Sequence, residues 1–311
     1  MISRRLLRIK ILQILYAHFS TEDSKIEKSE KDLTYSIQKA YDLYFCLLLL
    51  IVAVKRYAES RIHLALNKKL PTYDDLHPNM RFLENELILQ IEECASSAKY
   101  RDYKALNWNE HPELIKTLYN NLLEAPYYKE YMERPTCEYE DDKQLLIDFY
   151  SNELEDVEMF YDILEEQSIY WNDDVDFIIN MVIKTVKDIS REKIELLPLF
   201  KSEEESDFAT TLLRASINNY NEYHKIIDSH VENWDIERVA YVDYLILQMS
   251  INELVEFPSI PIRVTFDEYL ELAKYYSTAK SSVFINGLLD TILVELIERG
   301  TILKSGRGLQ E

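Results

Sequence analysis

Four glycines in 311 residues, only one of them in the first 299, restrict what this chain can fold into. Hairpin turns, bulges and left-handed loop positions draw heavily on glycine, and only eight prolines are present to punctuate the rest. A turn-rich β fold lacks its materials here, whereas long helices need few such residues. With 47% hydrophobic residues the chain can bury a sizeable core, so the expectation is an ordered, all-α protein. The one internal glycine, Gly287, sits inside SSVFINGLLDTILVELIERG (281–300). That is the middle of a helical pattern, where glycine costs about 0.5–1 kcal/mol relative to alanine, so something other than local propensity accounts for it.

Apolar periodicity predicts helices over 4–19, 31–66, 80–98, 112–124, 143–168, 173–195, 207–231, 235–256 and 280–298. PTYDDLHPN (71–79) reads as a break. Pro126 and Pro135 mark a loop or a short irregular helix, and LLPLFKSEEES (196–206) reads as a linker. FPSIPIR (257–263) is a stop, after which Thr265 and Glu268 have the spacing of a capping box opening the next helix. Gly300 suits the C-terminal cap of the last helix, and KSGRGLQE (304–311) reads as a frayed, flexible tail. The run FCLLLLIVAV (45–54) is too short to span about 30 Å of hydrocarbon and starts too far into the chain for a secretory signal. A buried helix is expected, with no membrane association. The 23 tyrosines fit amphipathic rings at helix surfaces.

The net charge of -21 is unevenly spread. Residues 1–20 carry Arg4, Arg5, Arg8 and Lys10 against no acid, while 138–176 hold 15 acids and one base, Lys143. Such a chain repels nucleic acid at long range, yet a short basic face can still bind it. Cys46, Cys94 and Cys137 are odd in number and widely spaced, which argues against a disulfide framework or zinc site and fits a reducing, cytoplasmic setting. No HExxH, GxSxG, Walker-type or GxGxxG motif occurs, and the acidic clusters lack the ExxH partners of di-iron bundles. Solvated helix faces account for those acids. Neither catalysis, nor a metal, nor a cofactor is expected.

Two segments carry a more specific signal. NWDIERVAYVDYLILQMSINELVEFPSIPIRVTFDEYLELAKYYSTAKSSVFINGLLDTI (233–292) contains Glu253-Leu254, then Pro261 through Lys274, then Phe284-Ile285-Asn286-Gly287-Leu288-Leu289-Asp290; RRLLRIKILQILY (4–16) opens the chain. In this order the motifs resemble the NusB transcription antitermination family, over about 4–20 and 205–300. The resemblance implies an all-α helical bundle of NusB-like architecture with an inserted helical region. The expected organisation is a basic N-terminal helix (1–20), an acidic helical insertion (21–200), the remainder of the NusB-like domain (201–303) and the tail (304–311).

The resemblance also implies a function: binding a single-stranded boxA-type RNA together with a small NusE-type ribosomal protein, on the RNA polymerase elongation complex, in support of ribosomal RNA transcription. Mapped here, the RNA contacts would be Arg4, Arg5, Arg8, Lys10, Phe284 and Asn286. Asp243 and Glu253 would face the protein partner. Gly287 would be structural, admitting a close neighbour to the last helix. Bland readings stand beside these: solvated N-terminal bases, a core Phe284, an ordinary exposed Asp243. Two positions depart from the family pattern, Val283 and Gln248, where a basic residue is common; both would thin the basic face, and Lys274, Lys280 or bases in the insertion could compensate. The competing reading is an acidic protein-interaction module that keeps the fold but has lost RNA binding. A ribosomal RNA cytosine methyltransferase, which shares the fold in its RNA-binding domain, would need a glycine-rich cofactor domain after residue 300.

Overall fold

A computed structural model describes residues 2–94, 107–231, 240–278 and 280–309. Helices are the regular elements among them, apart from an isolated bridge between Ser190 and Lys193. Two compact units emerge, Gln38–Leu199 and Ile2–Ile37 with Phe200–Glu311. Residues 21–37, expected within the insertion, therefore group with the second unit.

The first unit is organised on helix α2 (Ile26–Leu66) from Gln38 onward, followed by α3 (Tyr73–Leu76), α4 (Glu86–Glu93), α5 (Pro112–Glu124), α6 (Pro126–Glu133), α7 (Tyr139–Asn152), α8 (Glu158–Gln167) and α9 (Val175–Asp188). Its apolar stretch is buried on all sides: Tyr44, Leu47, Leu48, Leu50, Ile51 and Val54 have no exposed surface. By length and composition α2 could cross a membrane, but 72% of its most apolar window is buried inside the protein, as for a helix apolar all round at the centre of a fold. Aromatic donors fasten it. Trp171 Nε1 donates to the Lys39 carbonyl at 2.8 Å, Trp108 Nε1 to that of Cys46 at 2.7 Å, and the Tyr150 hydroxyl to that of Leu47 at 2.7 Å. Each helical carbonyl has a second lone pair for such a bond.

Local chemistry explains where observed helices depart from periodicity. The helix expected over 80–98 starts at Glu86 because the Asn85 side chain caps it, accepting from Ile88 N at 3.0 Å; residues 95–98 lie outside the described ones. The stretch 143–168 is two helices. At the end of α7, Ser151 and Asn152 turn their side chains back to the Ile147 and Asp148 carbonyls, both at 2.7 Å, a local alternative to further helix. Pro126, expected in a loop or a short irregular helix, is the first residue of the eight-residue α6, where its missing N–H has no helical partner to lose.

The second unit comprises α1 (Arg4–Phe19), the start of α2, α10 (Glu203–Asn218), α11 (Tyr220–Val231), α12 (Tyr241–Glu256), α13 (Ile262–Tyr276) and α14 (Ser281–Glu298). Helix α12 is its core and packs against α1, α10, α11, α13 and α14. The expected helix 207–231 breaks at Asn219, whose side chain donates to Asn252 Oδ1 on α12 at 2.9 Å. The expected start of α12 at 235 lies outside the described residues. Thr265 does not open α13. That helix begins at Ile262 behind Pro261, and Thr265 is a fully buried interior residue. Gly300, at φ +67°, ends α14 with paired bonds from its own N–H to Ile297 and from Thr301 N–H to Leu296, the arrangement that left-handed caps make with glycine.

Over 304–309 the C-terminal stretch is not frayed as expected; residues 310 and 311 lie outside the described ones. Ser305 N–H donates to the Pro258 carbonyl at 3.0 Å, Lys304 Nζ to that of Phe257 at 3.2 Å, and Gly306–Leu309 form a 3-10 turn with Gly308 buried. A Cβ on Gly308 would lie 1.9 Å from the Pro258 carbonyl oxygen, a backbone atom that cannot swing aside. Gly308→Ala is therefore expected to lift the segment from the Pro258 loop, at about 1–3 kcal/mol for the overpacking. Tryptic cleavage at Lys304 and Arg307 should accelerate; an unchanged digestion rate would show that the glycine is dispensable.

Candidate nucleic-acid interface

Helix α1 starts at Ser3, whose hydroxyl accepts from Leu6 N–H at 3.2 Å. The four N-terminal bases then differ sharply in burial. Arg5 is exposed and meets Glu268 of α13 in a two-bond ion pair, 3.0 Å at each contact. Arg4 is half-buried, its guanidinium 5.2 Å from the Phe208 ring centre. Arg8 and Lys10 point inward, with 2% and 0% of their surface exposed, and so cannot reach RNA. This corrects the sequence expectation for both.

Arg8 serves a different purpose. Its Nε donates to Oε2 and its Nη2 to Oε1 of Glu253, both at 2.7 Å, and Glu253 is fully buried on α12. Thr265 Oγ1 donates to Glu253 Oε1 at 3.0 Å and the Tyr269 hydroxyl to Oε2 at 3.1 Å. Burial pulls the Arg8 pKa down, but the hydrogen bonds and charge of Glu253 more than offset that and hold it above its ordinary value. Tyr269 is driven well up, by burial first and then by Glu253. Glu253 has all its lone pairs engaged from inside, so it is not the partner contact expected of it. Asp243 is likewise buried, at 2% exposure, with Oδ2 accepting from Ser281 at 2.9 Å. Its place is at the root of α14 rather than on a partner-facing surface. Gln248 is buried too, donating to the Ser216 carbonyl at 2.9 Å, so an arginine missing there takes nothing from an exposed basic face.

Phe284 and Asn286 stand on α14, both half-buried; Asn286 Nδ2 reaches Asp290 Oδ2 at 3.4 Å. Val283 beside them is 74% exposed, so this departure from the family pattern does fall on the surface. Gly287 is half-buried in the helix. Near Arg5, the outer face of α13 continues through Glu271 and Lys274, paired at 2.6 Å, to Tyr275, which is 78% exposed. Lys280 is exposed just beyond. Exposed pairs such as Arg5–Glu268 contribute roughly 0–1 kcal/mol, so these bases can exchange a carboxylate for a phosphate at small loss.

The sequence reading missed an aromatic strip. Tyr16 and Phe19 of α1 meet Tyr241 of α12 (ring centres 5.8 Å) and Tyr220 of α11 (4.1 Å), and His224 stacks on Tyr244 at 4.8 Å. Tyr16 and Tyr241 are 49% and 40% exposed. Burial pushes the Tyr241 and Tyr244 hydroxyls up to about 12, the second helped by its bond to Asp228, so both stay protonated donors at neutral pH. The exposed carboxylate Asp228 borders the strip, accepting from the Tyr244 hydroxyl at 3.0 Å. The legible signal was spacing: aromatic pairs 16/19, 220/224 and 241/244 each sit one turn apart on their helices.

Among the described residues no group of three histidine, cysteine or acidic side chains could hold a metal ion. Burial raises the Cys46 thiol to about 12, which leaves it a packing residue.

Against known proteins, the family model described as "NusB family" matches residues 157–293. The chain is 41% identical over 113 residues to the transcription antitermination protein NusB of Salinibacter ruber, covering 36% of this chain and 71% of the relative. It is 37% identical over 103 residues to the protein of that name from Chloroherpeton thalassium, covering 33% and 49%, and 42% identical over 90 residues to that of Thermodesulfovibrio yellowstonii, covering 29% and 60%. The chain thus spans between about half and seven-tenths of these relatives' lengths. No solved structure matches it.

Proposed function

The chain belongs to the NusB family, and from that premise we propose that it is a transcription antitermination factor that binds boxA-type single-stranded RNA together with a NusE-type ribosomal protein. The work would be done in the cytoplasm on the RNA polymerase elongation complex, without catalysis or a cofactor. The observation that carries the reading is the 41% identity over 113 residues to an antitermination protein.

The geometry supports a division of labour within the second unit. Arg4, Arg5, Lys274 and Lys280 supply the accessible charge, and the exposed ring of Tyr275 offers a stacking surface for an unpaired base. Phe284 and Asn286 remain candidates at its edge. The aromatic strip, with phenol donors and the carboxylate Asp228 beside it, suits a basic ribosomal protein better than RNA. Gly287 is assigned a structural role, and the residues from about 38 to 156, ahead of the family match, form the helical insertion.

A second reading has one observation in its favour. With Arg8 and Lys10 buried, only two of the four N-terminal bases are accessible, as a protein-interaction module that has lost RNA binding would tolerate. A salt titration of binding to boxA-type RNA and a scrambled control, with and without the ribosomal protein, separates the two. Selective binding that tightens with the partner is expected. Arg4→Ala with Arg5→Ala should then reduce the salt slope by about 0.7 for each phosphate no longer neutralised. Partner binding with no RNA selectivity in either condition favours the interaction module.

A further inference from the structure

One surface of the first unit is left unexplained by RNA or ribosomal-protein binding. Between the end of α2 and residue 80, the chain makes a hook with Leu64 (65% exposed), Leu66 (39%), Leu70 (89%), Tyr73 (74%), Leu76 (50%) and Met80 (39%). These are six of the nineteen exposed large apolar side chains among the described residues. The hook is held in shape by polar ties. Lys68 Nζ pairs with Asp75 at 2.7 Å, Thr72 and Asp75 form a reciprocal capping box, and the Tyr73 and His77 rings stack at 4.2 Å. Asn79 Nδ2 and Arg81 Nη1 then donate to the Met132 and Tyr131 carbonyls, at 2.8 and 2.7 Å. Apolar surface concentrated on a fixed framework in this way marks an interaction site. Its exposed charge leans positive: Arg61 and Lys69 stand against one exposed acid, Asp74, because Lys68 is matched by Asp75.

The same unit carries the complement. The outer face of α8 and its flanks present Glu155, Asp156, Glu158, Asp162, Glu165 and Glu166, with Met159 (43% exposed) and Ile169 (76%) among them. These acids crowd one another. Burial, followed by the charges of Asp176, Glu155 and Asp156, raises the Tyr161 hydroxyl.

We propose that the hook of residues 64–80 docks on the α8 face of a second copy of this chain, leucines against Met159 and Ile169 and Arg61 and Lys69 against the carboxylates. The hook and its receptor are different surfaces, so the contact is head-to-tail and can propagate to rings or open chains. Association removes mutual repulsion on the acidic face and covers the hook's apolar surface in one step. RNA is the poorer occupant, because leucines dominate the hook and the chain around it is strongly acidic.

The test is sedimentation velocity on the full chain from micromolar to hundred-micromolar concentration. The weight-average mass should rise with concentration and fall as salt increases from about 0.05 to about 0.5 M, through screening. A hook variant, Lys69→Glu with Leu70→Glu, and a face variant, Glu165→Lys with Glu166→Lys, change exposed residues only and should each be monomeric. Mixed in equal amounts they should form a dimer and nothing larger, since the hook variant retains its face and the face variant its hook. A monomeric parent chain across the whole range would overturn the proposal. So would association unaffected by either variant, a mixture that stays monomeric, or a hook variant that loses RNA retention while its self-association persists.

Discussion

Replacing Glu253 with alanine should lower the unfolding free energy of the second unit by about 3–5 kcal/mol, the usual consequence of leaving a buried charge without its partner. Arg8 would keep only Glu268, whose carboxylate lies 3.3 Å from Nη1 and is partly exposed, while Thr265 and Tyr269 would lose their shared acceptor. Against a typical total of about 5–15 kcal/mol this is a large fraction. Arg8→Ala should be comparably harmful, because it strands Glu253 with two neutral donors. The double variant Arg8→Met, Glu253→Leu should recover part of the loss, since apolar residues can replace a buried ion pair at little net change. Urea titration with a double-mutant cycle measures the coupling, expected above about 1 kcal/mol. A Glu253→Ala protein of undiminished stability that binds the ribosomal protein more weakly would return Glu253 to the surface role the sequence suggested.

That pair shows which part of the site was legible. The bases of the N-terminal helix and the Glu-Leu pair stood out in sequence, and both kinds of residue are usually exposed. Nothing in one sequence reveals that Arg8 and Glu253, 245 positions apart, meet inside the core. Helical phase does not separate them either: Arg5 and Arg8 both lie within about 40° of the buried Leu12, yet only Arg8 is buried. Asp243 and Gln248 escaped for the same reason. They lie on a helix whose residues 245–254 are all buried, so polar character there reports internal hydrogen bonds rather than solvent. The aromatic strip needed tertiary contact among three helices, and only its one-turn spacings were visible beforehand.

The scarcity of glycine and proline did foretell an all-helical chain, because helices are the one regular structure that needs neither. The final helix and its glycine cap were local and readable. Helix boundaries inside 143–168 and 207–231 were not, since the breaks depend on side chains of Ser151, Asn152 and Asn219 choosing backbone or distant partners over the helix. The C-terminal segment misled for a related reason. A Gly-Arg-Gly sequence reads as mobile, but Gly308 is there for close contact with the Pro258 carbonyl.

The helix that looked most like a membrane span leads to the second large expected effect. Trp171→Ala should destabilise the first unit by about 3–5 kcal/mol, since it empties a fully buried indole site. Trp171→Phe should cost only about 0.5–1.5 kcal/mol, because it mainly deletes the bond to the Lys39 carbonyl. That carbonyl keeps its own helical partner, so no acceptor is orphaned. The contrast distinguishes two views of how α2 is held. If packing dominates, phenylalanine rescues most of the alanine loss; if the aromatic donors are the main fasteners, both variants fall together. Amide hydrogen exchange along residues 40–54, read for each variant, decides the matter: protection should collapse with alanine and persist with phenylalanine. Equal loss in both would mean that the bonds from Trp171, Trp108 and Tyr150 to carbonyls of α2 hold this helix in place more than its leucines do.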